Sequence, residues 1–318
     1  MKDKFALLAA LSALFVLIFA SNEVIASSRY ALSICAELIL PSLFPFFVLS
    51  ILLAKMGLPR YIDKLCGAAA SRLFSVSGAG ISALFIGLSG GYPMGAAYIV
   101  QMYESNNIDK DEAERLLAFC NNSGPAFIIG AVGAGVFASV KTGILLYAVH
   151  IFSAIITGIV FRKKKTCRVS PTEHIAAVSF TKAFPEAVKQ AVMAALNVCG
   201  FVVCFTVFVG LLDANGFLSA LSDRLSAISG FDVHWIRSLF CGLLEIGSAA
   251  ACMRGLSPSP LNISLAAAIL AWGGFSVHFQ TLALISDTDI KGTLHFAGRL
   301  LGAVLSAVSA YVLTILLG

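Results

Sequence analysis

Gly87-Leu88-Ser89-Gly90-Gly91-Tyr92-Pro93-Met94-Gly95-Ala96 lies in the middle of an otherwise apolar run, residues 76–103. Glycine frees the backbone and proline removes a helix donor, so the run is not one straight helix. It reads as a re-entrant hairpin that turns at Gly90–Pro93 and leaves on the side it entered. Non-helical backbone at membrane depth is tolerated only where it is buried in protein or lines a cavity. Residues 104–115 are charged and read as solvated. A second interruption, Cys120-Asn121-Asn122-Ser123-Gly124-Pro125, then falls within the apolar stretch 116–138.

These runs belong to a chain of 318 residues in which apolar types make up 58% and charged types 12%, with a mean hydropathy of +0.91. A soluble domain has about a quarter of its residues charged. The chain therefore reads as one all-α polytopic membrane domain, not two soluble ones. Disorder is excluded by the low charge and the abundance of Leu, Val, Ile and Phe. Nucleic-acid binding is excluded as well. The net charge of +5 is mostly one loop, Arg162-Lys163-Lys164-Lys165 with Arg168, not a basic face. A cluster of that kind beside a span marks the cytoplasmic side. The eight cysteines are scattered through the chain without a CxxC pair. They read as small buried hydrophobes, not a disulfide frame or a zinc site.

The rest of the chain falls into a repeated order. Met1 to Ala20 places Lys2 and Lys4 before an apolar run and reads as a retained signal anchor; a cleaved signal peptide is the alternative. Arg29 to Met56 is a helical stretch, containing Glu37, that should bend or restart at Pro41 and Pro45. Residues 58–74 form an amphipathic helix at the cytoplasmic surface, and Thr142 to Phe161 is a clean span. After the polar linker, Pro185 to Gln190 leads into the span Ala191 to Leu212. A surface segment with Asp223, Arg224, Asp232 and Arg237 follows. Interrupted stretches at 238–253 and 261–286 precede the last span, 293–317. Ala83–Leu88 resembles Ser238–Leu243, and Gly124 and Lys141 fall 150 residues before Gly274 and Lys291. The organisation is an N-terminal anchor or span over 1–28, a first repeat over 29–162, a cytoplasmic linker over 163–183 and a second repeat over 184–318. With the first hairpin re-entrant, the first repeat makes three crossings, so the second is upside down. Inverted repeats with broken helices are typical of secondary transporters.

The interruptions hold the candidate site. Ser89, Gly90 and Gly91 free backbone amides for an anion or polar ligand, with Tyr92 beside them. Asn121, Asn122 and Ser123 offer carboxamides and a hydroxyl for a substrate or a sodium ion. The alternative is helix packing, since Gly91 to Gly95 forms a GxxxG. Glu245, in GLLEIGSAA, is an acid in an apolar stretch, which points to proton or sodium coupling or to a polar substrate. Ser276, His278 and Gln280 mirror the asparagine break. His150 reads as packing and Arg299 as a side chain that snorkels to the interface. Gly87 to Gly91 also satisfies GxSxG, but no strand–turn–helix context supports a hydrolase elbow.

GLSGGYPMGA, DKDEAERLLAFCNNSGPAFIIGAVG and WGGFSVH, in that order, resemble the YlbJ-type sporulation integral membrane proteins. These belong to the wider nucleoside-recognition (Gate) domain group, which is similar to concentrative nucleoside transporters. The resemblance runs from about residue 30 onward. It implies two inverted Gate-like repeats, a spore-forming bacterial source and a link to moving dipicolinic acid across the outer forespore membrane. The functional reading is secondary transport, ion-coupled or facilitative, of a small polar or anionic metabolite, nucleoside-like or dipicolinate-like. The protein is then a multi-pass cell-membrane protein and not an enzyme. No cofactor is called for beyond Na+ or H+ coupling. Its partners are membrane lipid and the small-molecule substrate, and a homo-oligomer is left open. A partner-binding sporulation membrane protein is the alternative, and an intramembrane serine protease the distant one.

Overall fold

The structure, a computed structural model, describes residues 2–163 and 178–317. Most of the expected linker, including Lys164, Lys165, Arg168 and Pro171, lies outside the described residues. Helices α1 (Lys2–Phe19), α2 (Ser21–Ile34) and α3 (Leu40–Lys55) open the chain, with a π-helical segment, Cys35–Ile39, between α2 and α3. Next come α4 (Leu58–Phe74), α5 (Gly78–Gly90), α6 (Met94–Glu104) and α7 (Lys110–Phe119), then a second π segment, Ala126–Ala134, and α8 (Val140–Val160). The second half comprises α9 (Phe180–Ala214), α10 (Phe217–Ser229), α11 (Val233–Leu244), α12 (Ile246–Cys252), α13 (Pro260–Trp272), α14 (Gly274–Ile285) and α15 (Thr293–Leu317). No strand occurs among the described residues.

Both halves run in the same order: a 35-residue helix, a shorter helix, two interrupted helix pairs and a closing span. The 35-residue helices are Ser21–Lys55 and Phe180–Ala214, and each is long and apolar enough to cross a membrane, as are α8, the stretch Pro260–Ile285 and α15. The arms α5 and α6 have 13 and 11 residues, about 20 and 16 Å, too short for a hydrocarbon core of about 30 Å. They make the expected hairpin, turning at Gly91-Tyr92-Pro93. Local sequence sets the helix starts. The Ser77, Asp109, Ser139, Asp232 and Ser259 side chains each accept a backbone N–H of the first turn that follows them, as N-caps do.

Cross-half contacts give the bundle two distinct faces. Lys55 pairs with Glu186 at 2.8 Å, Lys110 with Asp289 at 3.0 Å, and Lys163 with Asp111. One face therefore holds the C-terminal ends of α3 and α8, the N-terminal ends of α7, α9 and α15, and the foot of the first hairpin. At the far end of α9, Asp213 pairs with Arg237 of α11 at 2.7 Å, so the second hairpin, α11 and α12, enters from the opposite face. The basic residues concentrate on the first face, which the positive-inside rule assigns to the cytoplasm.

Three expectations need correction. The expected restart occurs at Pro41, which sits in the first turn of α3, but Pro45 lies inside α3 and neither proline ends the long helix. The π turn ahead of them, in which Leu40 N–H donates to Cys35 O five residues back, opens the turn where proline has no donor to give. Residues 104–115 are not all solvated. Glu112 and Arg115 are buried, and they clamp the bend between α4 and α5, which is 96°. The Glu112 carboxylate accepts from Ser77 N at 2.6 Å and Ser77 Oγ at 2.7 Å. Arg115 donates to the Phe74 and Ser75 carbonyls. Finally, the long helix of the first half begins at Ser21, so residue 28 falls inside α2. Helix α1 ends at Phe19, with Leu7, Leu11, Leu14 and Ile18 exposed.

Candidate functional site

Four interruptions converge on one point, and glycine makes the approach possible. Gly91, at the tip of the first hairpin, has φ +82°, and a Cβ there would meet Gly124 N at 2.9 Å. From the same tip Tyr92 OH donates to the carbonyls of Leu270 and Ala271 at 3.2 and 3.4 Å, in the last turn of α13. A Cβ on Gly274, where α14 begins, would sit 2.9 Å from Leu244 O and 3.1 Å from Glu245 N, at the tip of the second hairpin. The breaks at 91–93, 120–125, 245 and 273 are thus in van der Waals contact as a chain.

A cavity of about 40 Å³ lies at this junction. Tyr92, Ser123, Glu245, Ser276 and Gln280 line it, and Ile39, Leu43, Val198 and Val202 of the two long helices form its apolar wall. Five of the eleven residues read from sequence therefore share one cavity. Glu245, 1% exposed, is the extended residue between α11 and α12. Its carboxylate accepts from Gly247 N at 2.8 Å and from Ser248 N at 2.5 Å, so the positive end of α12 balances its charge. Gln280 donates to Ser276 Oγ at 3.4 Å and keeps its carbonyl oxygen without a partner.

The other six support the cavity from behind or sit beside it. Asn121 donates to Thr281 Oγ1 at 2.9 Å, which ties the first-half break to α14. Asn122 donates to Phe119 O at 2.8 Å and closes the end of α7. His278 is fully buried and its Nδ1 lies 3.0 Å from His295 Nε2. Gly90 and Gly91 shape the tip. Ser89 contacts Ser50 Oγ and Ile86 O, both at 3.3 Å, and no histidine reaches it, so the protease arrangement is not built.

Arg299 is the residue that the sequence reading misplaced. It is 2% exposed and does not snorkel. Its guanidinium donates to Tyr92 OH at 3.2 Å, Asn122 Oδ1 at 3.4 Å, Ala271 O at 3.5 Å and Ala118 O at 3.1 Å. It thus holds the C-terminal ends of α7 and α13, where the helix dipoles are negative, and no carboxylate pairs with it among the described residues. His150, read as packing, accepts from Ser123 N at 3.1 Å. Neither role has a local signal, because each partner comes from another part of the chain.

Two larger cavities flank the centre. One, of about 550 Å³, lies between the first hairpin and the α3 and α9 helices at the basic face, lined by Ser50, Lys55, Tyr98 and Gln101 among others. The other, of about 260 Å³, lies between α12 and α2, with Tyr30, Glu37 and Arg254 at its wall.

No family model matches the chain. The fold is similar to that of the concentrative nucleoside transporter CNTnw, solved in an outward-facing state (TM-score 0.58) and in an intermediate state (TM-score 0.54). Each likeness is at 15% identity and covers 99% of this chain and 85% of the other, so it bears on fold. In sequence the chain is 31% identical over 307 residues to the sporulation integral membrane protein YlbJ of Bacillus subtilis strain 168, covering 89% of this chain and 75% of that protein. By this identity and its several apolar helices long enough to cross a membrane, the chain is a multi-pass membrane protein that belongs to the YlbJ family of sporulation integral membrane proteins.

Proposed function

We propose that the protein is a secondary transporter of a small polar or anionic metabolite, with two inversely related halves, one beginning at Ser21 and ending with α8, the other beginning at Phe180 and ending with α15. The observation that carries this reading is the cavity, mostly apolar with a few polar groups, that the tips of two hairpins entering from opposite faces both line through Tyr92 and Glu245. A water needs about 10–15 Å³ of such space, so the cavity of about 40 Å³ admits water but no metabolite. A substrate enters when one tip parts from its neighbours and joins the centre to the vestibule on that side. The Arg299 guanidinium behind Tyr92, which has no carboxylate partner among the described residues, and the N-terminal ends of α6 and α14 favour an anionic group. Gln280, Ser276 and Ser123 supply directional hydrogen bonds. Glu245, which lines the cavity at the tip of the second hairpin, takes up the coupling proton or sodium ion, which completes the partial balance that two α12 amides give its carboxylate. The sporulation context named for the Bacillus subtilis relative makes an aromatic dicarboxylate of the dipicolinate kind the first substrate to try, with nucleosides second.

The test is uptake into proteoliposomes of labelled nucleosides and aromatic dicarboxylates under imposed sodium or proton gradients. Wild-type protein should accumulate one of these. Gln280→Ala should lower the flux about tenfold, as expected for one lost buried hydrogen bond, with the melting temperature retained. Glu245→Gln should leave a residual flux that no longer responds to the gradient. Absence of flux for every compound, or wild-type flux in both variants, sinks the transport reading in favour of a partner-binding membrane protein.

A further inference from the structure

The second hairpin brings together two thiols that lie eleven residues apart in sequence. Cys241 sits on α11 one turn before the tip, and Cys252 ends α12. Their sulfurs are 3.4 Å apart. Cys241 is 1% exposed, whereas Cys252 is partly exposed. Arg237, one turn earlier on α11, is held by Asp213 at 2.7 Å with its guanidinium near Cys252. A fixed positive charge therefore stands beside the more accessible thiol, the setting in which cysteines react. Cys35, in contrast, turns its sulfur to the Cys199 carbonyl at 4.0 Å. The Arg237–Asp213 pair also fixes the side. It lies on the face opposite Lys55, outside the cytoplasm by the positive-inside assignment, where disulfides persist.

We propose that Cys241 and Cys252 form a reversible disulfide that fastens the two arms of the second hairpin. The oxidant is a low-molecular-weight disulfide. The Cys252 thiolate attacks one of its sulfurs, breaking that S–S bond and releasing one thiol, to give a mixed disulfide on Cys252. Cys241, as thiolate, then displaces the second thiol and closes the Cys241–Cys252 bond. Each cysteine gives up one proton, and the two electrons end on the two released thiols. The sulfurs need to close from 3.4 Å to about 2.05 Å. The closed loop contains Glu245, Gly247 and Ser248, so the oxidised hairpin keeps its tip in one shape while the reduced one is free to open. The inference is independent of what the protein carries.

Full-length protein in lipid nanodiscs is treated with oxidised glutathione, then denatured and alkylated, and its intact mass is measured. Reduced protein should carry eight alkyl groups, one for each cysteine of the chain. Oxidised protein should carry two fewer, with one peptide cross-link joining 241 to 252, and reductant should restore the full number. Cys252→Ser should lose no further thiol on oxidation. Amide hydrogen exchange over residues 242–252 should slow at least threefold in the oxidised wild type. If Cys241→Ser fails to fold, Cys252→Ser, which alters the less buried partner, carries the control. Retention of all eight thiols, a cross-link between other cysteines, or a mixed disulfide on Cys252 that never resolves overturns the proposal. So does unchanged exchange in a protein that has lost the two thiols.

Discussion

Arg299 makes four hydrogen bonds to groups from α6's approach, α7, the asparagine break and α13, and all of them are buried. Arg299→Met fills similar space but takes the guanidinium donor from the Ala118 carbonyl, Asn122 Oδ1 and Tyr92 OH. Hydrogen bonds from a charged group contribute about 1.5–3 kcal/mol each, so the variant should melt well below wild type, by differential scanning fluorimetry in detergent. Arg299→Lys should recover only part of this, since one ammonium replaces a planar fork. Equal melting temperatures for all three would mean that the clasp contributes nothing. His295 is a second residue with no signal in the sequence. Its Nδ1 lies 3.2 Å from Leu117 O, so Nδ1 bears the proton and Nε2 accepts from His278 Nδ1. An acid such as Glu245 is different, because its cost in an apolar stretch is visible without any partner.

The seat of the first hairpin rests on glycine. A Cβ on Gly87 or on Gly95 would run into the Cys120 carbonyl, and one on Gly298 into Ala118. These are backbone neighbours that cannot swing aside. Gly95→Val should therefore push the hairpin off α7, at a cost of about 1–3 kcal/mol, while Gly130→Ala, with open space around it, should melt like wild type. Equal melting of both variants would show that the hairpin has room to shift. The connection between α14 and α15 is anchored differently. Asp289 accepts from Tyr103 OH at 2.6 Å and from Lys110 at 3.0 Å, and the tyrosine bond first, then the lysine, lowers its carboxyl pKa below the usual carboxylate range. A lowered folded pKa adds stability above the unfolded value of about 3.9, and that stability is lost as the pH falls through the folded value. The melting difference between wild type and Asp289→Asn should hold steady above about pH 5 and vanish in stronger acid. A difference that grows on acidification would contradict the pairing.

Sidedness is a property of the assembled bundle. Ser105 is exposed at the foot of the first hairpin and Asp223 is exposed on α10, on opposite faces. In a cysteine-free background, Ser105→Cys should react with an impermeant maleimide only from the cytoplasmic side and Asp223→Cys only from the other. Labelling of both from one side would undo the opposed entry of the hairpins and the inverted relation drawn from it.

The positions of the breaks, the long apolar runs and the gathering of basic residues at one set of span ends are legible along the chain. Glycine, proline and buried polar groups act on their own backbone, and charges at span ends act on their own crossing, so no distant partner is needed to read them. Packing set the remaining features. Arg299 lies 177 residues from Asn122, and Asn121 lies 160 from Thr281; local pattern holds no term for such pairs. Pro45, inside α3, departs from the sequence reading for the opposite reason. A π turn and contact with α9 let the helix continue where intrinsic propensity alone argues for a stop. The two thiols of the second hairpin meet only because α11 and α12 fold back on each other around Glu245. Which polar groups share a cavity is therefore fixed by the approach of helices far apart in sequence.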